Sequence, residues 1–200
     1  MEKPADTQYP IHDLLQRRWS PVAFSERDVS EDDLRSILEA ARWAPSCYND
    51  QPWHFILAPK SDREGFPRML GCLVEQNVAW AQHAPVLGLA AARLNFTHNG
   101  QENRHAFHDI GMAIENMMIQ AVSLGLFLHA MAGFSAEKAR EAFAVPDGYE
   151  TVTAFALGYA SGAEHLPEAL RQRDAAPRSR KPLTEWVFAG RWGKISPLVS

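Results

Sequence analysis

Apolar residues at Leu34, Ile37, Leu38 and Ala41 in VSEDDLRSILEAARWA fall on one face of a helix. Ser30 stands as its N-cap, and the acids behind it occupy a first turn where the helix dipole favours negative charge. Pro45 disfavours helical geometry in the residue before it, so the helix is expected to end near Ala44. The spacing then changes. WHFILA reads as a strand, and APVLGLAAA from Ala84 is a short apolar run of the kind that fills a buried one. HDIGMAIENMMIQAVSLGL returns to helical spacing, with Ile110, Ala113, Ile114, Met117, Met118, Ala121 and Leu124 in register. It is apolar around most of its circumference, which predicts a central helix or one buried at a subunit interface, with its methionines as core. LFLHAM reads as a strand, SAEKAREAF as a helix capped by Ser135, PDG as a turn and ETVTAFALGYA as an alternating strand. Strands separated by helices predict an α/β arrangement of two or three layers around one sheet.

Two hundred residues predict one domain, spanning 1–200, with a core of its own or one completed against a second copy. A hydrophobic fraction of 46% with 22% charged residues is that of a globular chain and sets disordered and fibrous classes aside. The net charge of -4 argues against nucleic acid as a partner, because affinity for a phosphate backbone comes from clustered cations. Cys47 and Cys72 form neither a disulfide framework nor a metal knuckle, and MEKPADTQYP has no basic segment followed by an apolar run, so a cytoplasmic location is expected. From Asn116 to Ala136 there is no formal charge. Asn116, Gln120, Ser123 and His129 nevertheless make it a poor membrane span, and Gly125 is placed to stop a helix.

The usual catalytic signatures are missing: there is no G-x-G-x-x-G, G-x-x-x-x-G-K-[ST], G-x-S-x-G or H-E-x-x-H. The first absence removes only a standard Rossmann site, not transient use of a nicotinamide. HNGQENRHAFHD gathers His98, His105, His108 and Asp109, which we read as a polar loop entering a helix rather than a metal site. Cys47 follows a helix C-terminus, whose negative end disfavours a thiolate nucleophile. Two basic groups remain, Arg17 with Arg18, and Arg178 with Arg180 and Lys181. Either alone reads as a solvated cluster, but together they suit a phosphate dianion. The turn ARWAPSCYNDQPWHF supplies a complement: Asn49 and Gln51 each offer a donor and an acceptor on one amide, suiting a heterocycle edge, while Ser46 adds a hydroxyl and Pro45 fixes the turn. A flavin, with its phosphate tail, pyrimidine edge and flat face, fits this description.

RRWSPVAF, LEAARWAPSCYNDQPWHFILA, LGLFLHAMAGFSAEKAREAFAVPDGYETVTAFALGYA and RSRKPL, in that order from about Arg17 to Leu183, resemble the FMN-dependent nitroreductase family. The resemblance implies an α+β fold with a central, mostly antiparallel sheet flanked by helices, an intertwined homodimer, and two FMN sites built from both subunits. It further implies that Arg17, Arg18, Trp19 and Ser20 address the phosphate, ribityl or pyrimidine end, and that Arg178 and Arg180 grip the phosphate. Pro45, Ser46, Cys47, Asn49 and Gln51 would form the loop laid against the cofactor by the other subunit. Asn77 matches a pyrimidine-binding asparagine, and Met131, Ala132 and Gly133 match a segment whose backbone N–H, at Ala132, reaches flavin N5. Trp80 and Val22 stand where the family often carries basic residues. Residues 1–10 are expected to be flexible, and about 181–200 to pack on the partner subunit. The implied activity is ping-pong hydride transfer from NADH or NADPH through FMN to a nitroaromatic, quinone or enone. Flavin binding without turnover, flavin fragmentation and dehalogenation are the alternatives.

Overall fold

Each amphipathic stretch finds its layer in a computed structural model, which describes residues 3–200. Along the chain these are α1 (Asp13–Arg17), α2 (Glu31–Arg42), β1 (Trp53–Pro59), α3 (Gly65–Leu70), α4 (Glu75–Ala81), β2 (Val86–Arg93), α5 (Ala106–Ser123), β3 (Phe127–Met131), α6 (Ala136–Ala142), β4 (Tyr149–Gly158) and α7 (Glu168–Ala175). Met1 and Glu2, part of the segment expected to be flexible, lie outside the described residues. The predicted caps are in place: Ser30 Oγ accepts from Asp33 N–H at 3.1 Å, and Ser135 Oγ from Lys138 N–H at 3.2 Å. The helices α1, α3, α4 and α7 have five to eight residues each, too few for an apolar stripe to repeat in sequence.

The sheet has the order β1-β2-β4-β3, and every neighbouring pair is antiparallel. Alternating strands and helices do not fix strand direction. The helices here lie over the faces without returning each strand parallel to the last, and the fold is α+β. Side-chain alternation divides the core in two. On β4, Phe155 and Leu157 join Ile37 and Ala41 of α2 and Ile110, Ala113 and Met117 of α5. Ala154 and Ala156 face the other way, toward Phe66 and Met69 of α3, Trp80 of α4 and Ala139 of α6. Gly88 is paired with Phe155 across β2 and β4, and a methyl at Gly88 would overlap the Phe155 ring.

The long apolar helix α5 is the structural spine. Ile110, Ala113, Met117 and Ala121 are at most 1% exposed, and each buried Ile or Met side chain contributes about 1.5–3 kcal/mol. Its polar residues tie it to α2: Asn116 Nδ2 donates to Ala40 O at 3.0 Å and Gln120 Nε2 to Ser36 Oγ at 2.9 Å. Gly125, at φ 75°, ends it in a Schellman arrangement, with Gly125 N–H to Val122 O at 3.0 Å and Leu126 N–H to Ala121 O at 2.8 Å. Among the described residues no helix is long and apolar enough to cross a membrane.

Candidate functional site

The chain leaves α1 through Arg18, whose N–H closes the helix onto Leu14 O at 3.0 Å, and runs extended into Trp19 and Ser20. The Asp174 carboxylate on α7, 4% exposed, accepts from Val22 N–H at 3.0 Å. That bond sets the arginine-bearing entry strand against the arginine-bearing exit from α7. A cavity of about 400 Å³ opens between them, lined by Arg18, Trp19, Ser20, Arg173, Arg178 and Arg180, with Lys3 at its edge. Arg18 of the first basic group thus faces Arg178 and Arg180 of the second, while Lys181 lines a neighbouring groove. Arg17 stays outside this cavity, paired with Asp13 at 3.2 Å on the exposed side of α1.

Positive charge in the cavity is poorly matched. Burial, and then the neighbouring Arg18 and Arg180, hold the Arg178 guanidinium below its ordinary value. The carboxylate beside Arg18 is Glu115, at 4.0 Å, and burial raises its pKa against the pull of Arg18. Asp174 is occupied with Val22. Trp19, 6% exposed and in edge contact with Phe127, has an indole Nε1–H that is buried with no partner among the described residues. Clustered guanidiniums beside an orphan donor make a place for an anion with several acceptor oxygens.

The second predicted element, Pro45 to Gln51, is a strained turn beside the N-terminal end of α5. Tyr48, Asn49 and Gln51 hold left-handed φ values of 53°, 54° and 49°. Ser46 Oγ accepts from Gln51 N–H at 3.0 Å, and Gln51 Nε2 donates to Asn49 O at 3.0 Å. Cys47 N–H donates to Asp109 Oδ2 at 3.0 Å, anchoring the turn to the first turn of α5. Asp50 was not singled out from sequence, yet it fastens the loop. Its carboxylate accepts from Thr97 N–H at 2.8 Å, Thr97 Oγ1 at 2.5 Å and Arg93 Nη2 at 2.9 Å. Burial works to raise the Asp50 pKa, but the Thr97 hydrogen bonds and Arg93 outweigh it and hold the group below the usual carboxylate value. Tyr48, 79% exposed, packs edge-on against Phe96 at 5.6 Å and beside His98 at 5.4 Å.

Asn77 and the Met131–Gly133 segment are brought together at the end of β3. Asn77 Nδ2 donates to Gly133 O at 3.0 Å, and Asn77 Oδ1 accepts from Trp80 Nε1 at 3.3 Å. A Cβ at Gly133 would come within 2.6 Å of Asn77 Nδ2 and 2.8 Å of a Val74 methyl, so a larger residue there would have to displace the Asn77 amide from its place. Trp80 is fully buried between Phe24 at 6.1 Å and His129 at 4.5 Å, and Val22 is 1% exposed. The two positions that the resemblance associates with basic residues are thus core. Neither this group nor the 45–51 turn lines the cationic cavity of its own chain. The histidines of HNGQENRHAFHD take separate places: His98 joins the Tyr48 group, and His108 Nδ1 lies 3.1 Å from Asp109 Oδ1. No group of three metal-binding side chains is found among the described residues. Arg173, Asp174 and Lys3 carried no signal in sequence, since only the packing of α7 and the N-terminal segment brings them to the cavity.

Known proteins share this framework. A solved structure described as an oxidoreductase containing FMN superposes with a TM-score of 0.89 at 34% identity, covering 94% of this chain and 96% of that one. A 15.4 kDa uncharacterized protein from the ask 5′ region of Mycolicibacterium smegmatis is 38% identical over 65% of this chain and 86% of its own length. The major NAD(P)H-flavin oxidoreductase of Aliivibrio fischeri is 27% identical over 88% of this chain and 96% of its own. The sequence pattern of the nitroreductase family matches residues 15–159, from the α1 arginines through the end of β4. With the fold, the order of motifs and this match in agreement, the chain belongs to the nitroreductase family.

Proposed function

We propose that this chain is an FMN-dependent NAD(P)H oxidoreductase that reduces electron-poor organic acceptors such as nitroaromatics, quinones or enones. The observation that carries the reading is the cavity of clustered guanidiniums with the unpartnered Trp19 donor. It fits a phosphate monoester with an adjoining polyol: Arg18, Arg178 and Arg180 supply charged donors, and Trp19 and Ser20 neutral ones. When bound, FMN supplies the two-electron chemistry, which explains a site without a protein nucleophile. The chain's part is to bind, orient and set the field. Cations and amide donors near one end of the ring system favour its reduced, negatively charged form.

The reading also calls for a second copy. The amides of Asn49 and Gln51 suit a pyrimidine edge but lie outside the cavity of their own chain, so they complete the site of the partner subunit in an intertwined homodimer. Exposed Trp43, Tyr48, Phe107, Trp186 and Trp192 support such pairing, Trp192 being 91% exposed within the 181–200 extension. Asn77 and the segment Met131–Gly133 are assigned to the ring itself. NADH or NADPH delivers hydride and leaves before the acceptor enters, giving ping-pong kinetics, and no side chain is assigned a covalent or proton-transfer role. The test is anaerobic. The purified protein should carry yellow flavin that bleaches on mixing with NADH or NADPH and recovers its colour with a quinone or nitroaromatic. Flavin that stays oxidised with either donor would reject the activity.

A further inference from the structure

Contacts of the N-terminal segment converge on the cationic cavity. The Lys3 ammonium donates to the backbone oxygen of Asp174 and lies 4.8 Å from the centre of the Trp19 ring. The Lys3 carbonyl accepts from Arg178 Nη1 at 2.6 Å, and the same nitrogen donates to Gln16 O at 2.9 Å. Ala5 N–H also donates to Gln16 O, at 2.8 Å. Beyond Ala5 the chain follows the rim of a groove of about 1020 Å³ that shares Arg18, Arg178 and Arg180 with the cavity. One nitrogen of Arg178 is therefore fully engaged by backbone carbonyls, one from the N-terminal segment and one from α1. A guanidinium offers five N–H donors, so Nη2 and Nε remain for an anion. The Lys3 ammonium, with three rotatable donors, keeps two after its bond to Asp174 O.

We propose that residues 3–9 form a strap clasped by Arg178 along the border of the cavity and the groove, and that Lys3 is a phosphate-binding residue delivered by the strap. This rests on the reading that the cavity takes the FMN phosphate. A phosphate monoester carries close to two negative charges at neutral pH, and Lys3 adds an ammonium to the guanidiniums of Arg18, Arg178 and Arg180 in the same cavity. The strap couples cofactor retention to the order of the N-terminal segment: the anion draws Lys3 and Arg178 together, and the Lys3 carbonyl bond keeps Arg178 in place.

The test uses the 200-residue chain, stripped of flavin and titrated with FMN and with riboflavin by fluorescence quenching, alongside Lys3→Ala and Lys3→Arg. Lys3→Ala should weaken FMN about tenfold, the loss of one charged contact, while leaving riboflavin affinity unchanged; Lys3→Arg should restore most of the difference. If the unaltered chain prefers FMN over riboflavin and Lys3→Ala retains the whole preference, the strap assignment is overturned and the flavin site stands. An equal loss for both flavins also overturns it, because the contact then serves the fold and not the phosphate. If the unaltered chain binds FMN no more tightly than riboflavin, the cavity is not a phosphate site and the functional reading fails with it.

Discussion

Replacing Asp50 with alanine tests how the strained 45–51 turn is held. Tyr48, Asn49 and Gln51 occupy left-handed backbone at a cost of about 1 kcal/mol each, with Asn49 the cheapest. Against that strain stands the Asp50 carboxylate, 2% exposed, with Arg93 and two Thr97 donors. Removing one member of a buried ion pair costs about 3–5 kcal/mol, because the other charge is left without its partner. Arg93 retains 22% of its side chain exposed, which places the cost at the lower end. Relaxation of the turn returns part of the strain, so the net loss is about 2 kcal/mol. For a chain of this size that lowers Tm by roughly 4–8 °C. The depressed carboxylate pKa gives the sign with pH. The contribution is present above the unfolded value near 3.9 and is lost as pH falls through the folded one, so the difference between Asp50→Ala and the unaltered chain should shrink in acid. Local release is read by hydrogen exchange of the Thr97 and Gln51 N–H groups, which should accelerate at temperatures where the rest of the fold persists. A Tm within 1 °C of the unaltered protein, with exchange at both groups unchanged, would refute the idea that Asp50 restrains the turn.

Other sites give equally direct outcomes. The double replacement Arg178→Ala with Arg180→Ala removes two charged donors worth about 1.5–3 kcal/mol each and should weaken FMN binding about a hundredfold or more; equal FMN occupancy after dialysis would count against the assignment. His129, 8% exposed with its ring nitrogen 2.7 Å from Pro21 O, has a pKa lowered by burial and by Arg173 and Arg18, against the opposing influences of Pro21 O and Asp174. The unfolded chain takes up the proton first, so stability should fall as pH drops below about 6.5, and His129→Gln should flatten that slope in urea titrations. Gly88→Ala should cost about 1–3 kcal/mol by overpacking against Phe155, and Phe155→Leu should recover part of the loss in the double variant by thermal denaturation.

The sequence alone determined the elements whose physics is local and repeated. Ser30 and Ser135 cap where short polar side chains reach free N–H groups, Gly125 stops α5 because it takes φ 75° without cost, and the helical spacing from Ile110 to Leu124 required burial on most sides. The turn at Pro45 to Gln51 and the two basic groups stood out in the sequence, because few core connections concentrate amides and guanidiniums. Tertiary structure decided the rest. The antiparallel sense of the sheet follows from how helices cover its faces, and the short helices depend on contacts with neighbours more than on their own periodicity. Arg18 meets Arg178 because Asp174 bonds Val22 N–H and Arg178 bonds Gln16 O, and Asp50 holds its loop because Arg93 and Thr97 arrive from another part of the chain. Val22 and Trp80 became core for the same reason. Spacing along a chain reports which neighbours a residue has within a few turns, whereas burial and electric field depend on segments that approach from far away in sequence.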